Sequence, residues 1–245
     1  SGGYIGGGLY HSQNIEGALS TFPGIRIVYP SFADDAAGLL RTSMRSKGPT
    51  VFMEPKTLYN DPLAETFIPE GFEVPFGKAR VRRPGTDLSI ITYGNTTHMS
   101  LQVAERIFQE TGQQIEGIDI RSLIPLDKES ILASVRKTNR ALVVHEDKVF
   151  AGFGAEIASM ITEEAFEFLD APVKRVGSTF TPVGFNRILE KAILPNSDKR
   201  YQATIRLGSS TDTYDAEGRV TSSASVDSIT EEQFEQALSQ FIGEI

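Results

Sequence analysis

The sequence predicts an α/β fold built on a mostly parallel, doubly wound sheet. Short β-branched runs alternate with amphipathic helical patterns between about residues 25 and 176, and the connections are long enough for right-handed crossovers between parallel strands. Of the 245 residues, 40% are apolar and 22 are glycine, which together make roughly half the chain, as in soluble folded proteins. At this length roughly 70% of the unfolded surface can be buried, enough for two domains.

Taken in order, Gly2, Gly3, Gly6, Gly7 and Gly8 open the chain, which begins with Ser1 and so reads as a processed chain or a piece of a longer one. Ile25, Ile27 and Val28 form a strand stopped by Pro30, and Thr50 to Met53 form a second. Between them Ser31 and Asp34 have capping-box spacing, followed by Ala36, Leu39, Leu40 and Met44 at helical intervals. Pro62, Pro69, Pro75 and Pro84 then mark a linker over residues 61–87. Leu88 to Tyr93 read as a strand, and Leu101, Ala104, Ile107 and Phe108 as one face of a helix ending near Gly112. Strands follow at Ile115 to Ile120 and Ala141 to His145, separated by a helix that Asp127 caps and that buries Ile131, Leu132 and Val135. A helix after Gly154, with Ile157, Met160, Ile161 and Ala165 inward, leads to a strand at Val173 to Val176.

The last segment differs in composition. Residues 209–229 hold nine Ser or Thr in 21 positions and read as a flexible linker or poorly ordered arm. Thr230 and Gln233 then begin a short helix whose stripe of Phe234, Ala237, Leu238, Phe241 and Ile242 needs a surface, on its own domain or on a partner.

A formal charge of −8 gives no long-range attraction for phosphate backbones or anionic lipid, so no nucleic-acid partner and no membrane are expected. With no cysteine, disulfides, thiolate nucleophiles and cysteine-held metals are excluded. No apolar run reaches the roughly 20 residues that span a bilayer. A cytoplasmic or organelle-matrix setting fits.

Three imidazoles remain as candidate chemistry. His11 follows glycines that let the backbone approach another group, and Tyr10, Ser12 and Gln13 flank it. It reads either as a proton-transfer group or as a hydrogen-bonded structural histidine. His98, after Gly94-Asn95-Thr96-Thr97, reads as a partly exposed residue of a capping loop, with anion binding at the helix start as the sharper alternative. His145-Glu146-Asp147 closes a strand at the end where open α/β sheets bind ligands, yet structural hydrogen bonding accounts for it. Arg80, Arg82 and Arg83 read as a solvated edge. The spacing gives no metal motif, dinucleotide fingerprint or phosphate loop.

Several stretches read together add a resemblance. Gly2-Gly3-Tyr4, Tyr10-His11-Ser12-Gln13, Phe22-Pro23-Gly24-Ile25 and Phe52-Met53-Glu54-Pro55-Lys56-Thr57-Leu58-Tyr59 resemble the beta part of the thiamin-diphosphate-dependent component of 2-oxo acid dehydrogenases. Phe76-Gly77-Lys78-Ala79, Thr92-Tyr93-Gly94, Ile118 to Pro125 and Val144-His145-Glu146 continue it in the family's order, to about residue 206. Tyr-His-Ser-Gln and Glu-Pro-Lys-x-Leu-Tyr are most like the branched-chain, 2-oxoisovalerate members.

The resemblance implies a remnant of a thiamin-binding pyrimidine domain over residues 1–60. A transketolase C-terminal-like domain over residues 76–206 overlaps the end of the linker, and an arm with a short helix over residues 207–245 lies outside the resemblance. It implies oxidative decarboxylation of a 2-oxo acid, with the acyl group passed to a lipoyl arm. His11 matches the family's active-site histidine, and Tyr10, Ser12 and Gln13 would shape the same pocket. Thiamin diphosphate with magnesium is the implied cofactor of the complete enzyme. Its binding residues are expected in portions this chain lacks, so tight binding here is not expected. The family's potassium loop maps to Ser43 to Gly48, where Ser46 and Gly48 replace its Asp and Asn, so that site is not carried over. The implied partners are an alpha part, an upstream beta part and a lipoyl-bearing acyltransferase, within an oligomer. The competing readings are a pyruvate- or acetoin-type beta part, a non-catalytic assembly module, and an unrelated α/β binding protein.

Overall fold

The computed structural model describes residues 1–195, 209–211 and 220–223. By chain contacts, Ser1–Lys199 form one compact unit and Arg200–Ile245 a second. The first unit opens with two single-turn helices, α1 (Gly8–His11) and α2 (Glu16–Leu19), followed by β1 (Arg26–Val28), α3 (Ala33–Arg45) and β2 (Thr50–Phe52). Short 3-10 turns at Lys56–Leu58 and Pro62–Ala64 lead to β3 (Arg80–Arg83). Then come β4 (Leu88–Thr92), α4 (Asn95–Thr111), β5 (Ile115–Asp119), β6 (Ser122–Ile124), α5 (Lys128–Thr138), β7 (Ala141–Lys148), α6 (Phe153–Ala165), β8 (Lys174–Ser178) and α7 (Arg187–Ile193). In the second unit β9 (Ser209–Thr211) pairs antiparallel with β10 (Val220–Ser223).

The main sheet has the order β3-β5-β4-β7-β8. Its inner pairs are parallel and β3 is an antiparallel edge. The second sheet has the order β2-β1-β6, with β1 parallel to β2 and antiparallel to β6. A strand from beyond residue 120 thus completes the sheet begun by residues 26–52. Burial explains the parallel core: Ile91, Ile118 and Val143 come from adjacent strands, Ile131 and Val135 from α5, and Ile157 and Ile161 from α6, all without solvent exposure. Local chemistry sets the helix ends. Asp127 Oδ1 accepts the Ser130 amide at 3.2 Å at the start of α5, and Gly112, at φ +78°, closes α4 with its amide on the Phe108 carbonyl.

Several expectations are corrected. Ser31 does not cap α3: its hydroxyl pairs with Thr97, and the Asp34 carboxylate takes the Thr66 hydroxyl and the adjacent Asp35 amide, so the reciprocal capping-box bonds are not made. Arg82, in the expected solvated edge, lies on β3 with its side chain 7% exposed, between Asp35 and Asp119. Within the Ser/Thr-rich stretch, β9 and β10 pair antiparallel. The helix expected from Thr230 lies outside the described residues.

Close packing around β7 gives a direct test. A Cβ at Gly154 would collide with the His145 imidazole, and one at Gly152 would stand 2.8 Å from its Cε1. The ring is fully buried, and Gly177 borders it on a third side. Gly154→Ala is expected to cost about 1–3 kcal/mol through overpacking, measured as a lower urea midpoint; an unchanged midpoint would contradict this packing.

Candidate active site

The three histidines have different fates. His145 is fully buried with neither ring nitrogen hydrogen-bonded, so the structural hydrogen bonding expected from sequence is not made. Burial lowers its pKa to about 4, and the imidazole stays neutral. His98 is 7% exposed rather than partly open to solvent. Its Nε2 lies 2.6 Å from the Ser31 carbonyl, and its ring rests on Phe32 with centroids 4.5 Å apart. His11 alone is exposed, at the last position of α1.

The segment that presents His11 is held by the second half of the chain. The Gly3 amide donates to Glu146 Oε1 on β7, and the Gly6 amide donates to Glu190 Oε2 on α7 at 2.8 Å. Both carboxylates are buried. Nearer the histidine, Gly7 N–H donates to Ser12 Oγ at 2.9 Å, and Lys56 Nζ donates to the His11 carbonyl at 3.2 Å. Gly8 stands at φ +58°, where an added Cβ would strike the Phe185 ring, so glycine is required for both backbone and space.

A longer hydrogen-bonded chain backs this segment. Thr57 Oγ1 donates to Asn95 Oδ1 at 2.6 Å, and Asn95 Nδ2 donates to Glu146 Oε2 at 2.6 Å. Burial pushes the Glu146 carboxyl up, while the Gly3 and Asn95 donors act against that shift. Behind α1, Glu16 is fully buried, with Tyr93 OH donating to its Oε1 at 3.1 Å and its Oε2 unpartnered. Burial and the nearby Asp147 carboxylate raise Glu16 to about 8.

The other residues expected at the site are spread around this segment. Tyr10 is 84% exposed, and its ring is open to solvent beside the exposed His11. Ser12 is fully buried and spends its oxygen on the Gly7 amide. Gln13 is partly buried, with Oε1 unpartnered. Sequence reasoning missed Glu190, Asn95 and Lys56, which lie tens of residues or more from His11 in sequence. Glu146 had a visible signal in its place at the end of a parallel strand.

A cavity of about 520 Å³ opens at the carboxyl ends of β1 and β2. Glu54, Asp61 and Glu65 line it, with no Lys or Arg among its described lining residues. Among the described residues no three His, Asp or Glu side chains group to hold a metal ion. Three carboxylates with no cation among the described lining residues repel a diphosphate. The residues present therefore do not fit the phosphate end of thiamin diphosphate. Also among the described residues, no helix is long and apolar enough to cross a membrane.

Comparison with known proteins places these features in context. Residues 77–199 match the transketolase C-terminal domain, and residues 2–62 match the transketolase pyrimidine-binding domain. Residues 186–245 match the N-terminal domain of the TruB family of pseudouridylate synthases. The 2-oxoisovalerate dehydrogenase subunit beta of Bacillus subtilis (strain 168) is 38% identical over 200 residues, covering 81% of this chain and 60% of the relative. Its counterpart from Pseudomonas aeruginosa is 41% identical over 74% of this chain and 55% of the relative. The mitochondrial pyruvate dehydrogenase E1 component subunit beta-2 of Oryza sativa subsp. japonica is 37% identical over 84% and 55%. This chain thus spans between 55% and 60% of the length of these curated relatives. A solved structure titled split gene transketolase, inactive beta4 tetramer, shares the fold at a TM-score of 0.57 and 22% identity, over 69% of this chain and 53% of that one.

Proposed function

We propose that this chain, which belongs to the transketolase C-terminal-domain family, supplies part of the beta portion of a thiamin-diphosphate-dependent 2-oxo acid dehydrogenase component. The observation that carries the reading is His11. It is the one exposed imidazole of the three, and it sits on a glycine-rich segment fixed by Glu146, Glu190 and Lys56. A substrate can reach it, and the clamp holds its position.

In this reading a branched-chain 2-oxo acid is oxidatively decarboxylated by the assembled enzyme, and its acyl group leaves on a lipoyl arm of an acyltransferase. His11 pairs with the substrate carboxylate and moves a proton beside the reacting carbon, the role for which an accessible imidazole is suited near neutral pH. Tyr10 and Gln13 line its approach, and Ser12 holds the turn beneath it. The cofactor's phosphates and magnesium are held by an alpha part and an upstream beta part, so this chain is inactive alone and works as a piece of an oligomer. A cytoplasmic or mitochondrial-matrix setting suits that assembly.

Thiamin-dependent dye reduction tests the proposal, with the chain alone and mixed with alpha and upstream beta portions, on 3-methyl-2-oxobutanoate and pyruvate in parallel. Activity is expected only in the mixture and faster on the branched acid. His11→Ala in that mixture is expected to lower kcat by about 100-fold or more. An unchanged rate returns the chain to an assembly role, and a faster rate on pyruvate favours the sibling substrate.

The match over residues 186–245 favours a second reading for that segment alone, as a portion of a pseudouridylate synthase domain. Tritium release from uridine-5-labelled transfer RNA by the full chain tests it, and no release leaves that segment without this activity.

A further inference from the structure

We propose that the cavity at the carboxyl ends of β1 and β2 docks a basic, extended segment of a partner polypeptide, seating a lysine or arginine side chain flanked by apolar residues. This goes beyond the dehydrogenase reading and does not depend on it.

A cavity of about 520 Å³ falls within the range of ordinary ligand sites, and it lies where parallel strands place ligands. Phe32, Phe52, Pro55 and Leu58 give it apolar walls. Its ionisable groups of fixed charge are all acidic: Glu54, Asp61 and Glu65.

The nearby helix end does not offset that charge. The first turn of α3 borders the cavity, and a free helix N-terminus would favour an anion. Here three of its amides are already engaged: Asp34 N–H with Thr66 Oγ1 at 2.8 Å, Asp35 N–H with Asp34 Oδ1 at 2.9 Å, and Ala36 N–H with the Phe32 carbonyl at 2.9 Å. The carboxylates retain open acceptor positions. Glu54 Oε2 accepts Tyr59 OH and Asp61 Oδ1 accepts the Leu63 amide, which leaves the second oxygen of each for a cation.

The exposed surface favours a polypeptide over a small amine. Tyr59, Leu63, Phe67 and Ile68 are 63%, 49%, 86% and 40% exposed along the stretch that forms one wall and continues from it. Apolar surface of this kind beside a charged pocket marks a protein contact. A basic segment with apolar neighbours satisfies both features at once, by charge in the cavity and by apolar contact along residues 59–68.

The test uses the full chain and the peptide fluoresceinyl-Leu-Lys-Phe-Arg-Leu-amide, labelled at its N-terminus so that both cations stay free, followed by fluorescence anisotropy. Saturable binding is expected, weakening as salt rises, with Glu65→Lys weakening it about tenfold or more through the reversed charge. Glu54→Lys is the second variant, and circular dichroism confirms that both remain folded. Glu110→Lys makes the same change in net charge at an exposed position on α4 and is expected to leave binding within about twofold, because screened charges act locally. Equal binding of fluoresceinyl-Leu-Glu-Phe-Glu-Leu-amide, or an equal loss with Glu110→Lys, would overturn the proposal. So would full displacement of the peptide by benzylamine at millimolar concentration, which would make this a small-amine site. A concentration-dependent dimer broken by Glu65→Lys in sedimentation would overturn it in favour of a second copy of the chain.

Discussion

Replacing Asp35 with asparagine is expected to cost about 3–5 kcal/mol of folding free energy, the usual penalty for leaving buried guanidinium charge without its partner. Asp35 is fully buried on the first turn of α3. Its Oδ1 accepts Arg121 Nη1 at 2.7 Å, and its Oδ2 accepts Arg82 Nη2. Arg82 also reaches Asp119 Oδ2 at 2.9 Å and stacks over Phe32, 3.9 Å from its centroid, so it cannot swing out to water. Arg121 is tied further to the Lys78 and Ala79 carbonyls. Asp119 is relieved of the Asp35 charge that repels it, yet burial is the larger cause of its raised carboxyl, and that remains. Urea unfolding followed by circular dichroism measures the loss. A change below about 1 kcal/mol, the size of a surface pair, would mean that this network does not join α3 to β3 and the end of β5.

The second large effect is in the pH dependence of stability. Glu16 is raised from 4.5 to about 8 in the folded chain, by burial first and by Asp147 next. The native state therefore keeps a proton that the unfolded chain releases, and stability falls as pH rises from about 4.5 to about 8, by at most about 1.4 kcal/mol per pH unit. His145 acts in the opposite sense. Its pKa drops from 6.5 to about 4 through burial, so the unfolded chain binds the proton first and stability rises with pH between those values. The two slopes oppose each other between about pH 4.5 and 6.5 and leave the Glu16 term unopposed by His145 above that. Glu146, also raised by burial, adds to the fall. Urea midpoints are thus expected to decline from pH 6.5 to 8, and Glu16→Gln is expected to remove much of that decline. Parallel curves for the two proteins would sink the assignment.

These effects trace what could be read in advance. The alternation of strands and helices was legible because each element carries its own period: Ile131, Leu132 and Val135 line the buried face of α5 as their spacing requires, and Asp127 caps it. Capping at α3 was not legible, because Ser31 and Asp34 have partners in Thr97 and Thr66, more than 30 residues away. β3 was missed for a related reason. Its arginines look solvated by composition, and only the carboxylates of α3 and β5 make Arg82 an interior residue.

The candidate site divides in the same way. The glycine-rich start with His11, and the collinear motifs that carry the family resemblance, are properties of the chain itself, because conformational freedom and side-chain chemistry travel with the residue. Which histidine stays accessible, which carboxylates grip the glycine amides, and which acid is held protonated were decided only when β7, α4 and α7 closed on that segment. Solvation and pairing depend on neighbours, and a linear sequence does not list the neighbours that folding brings from 38 to 184 residues away.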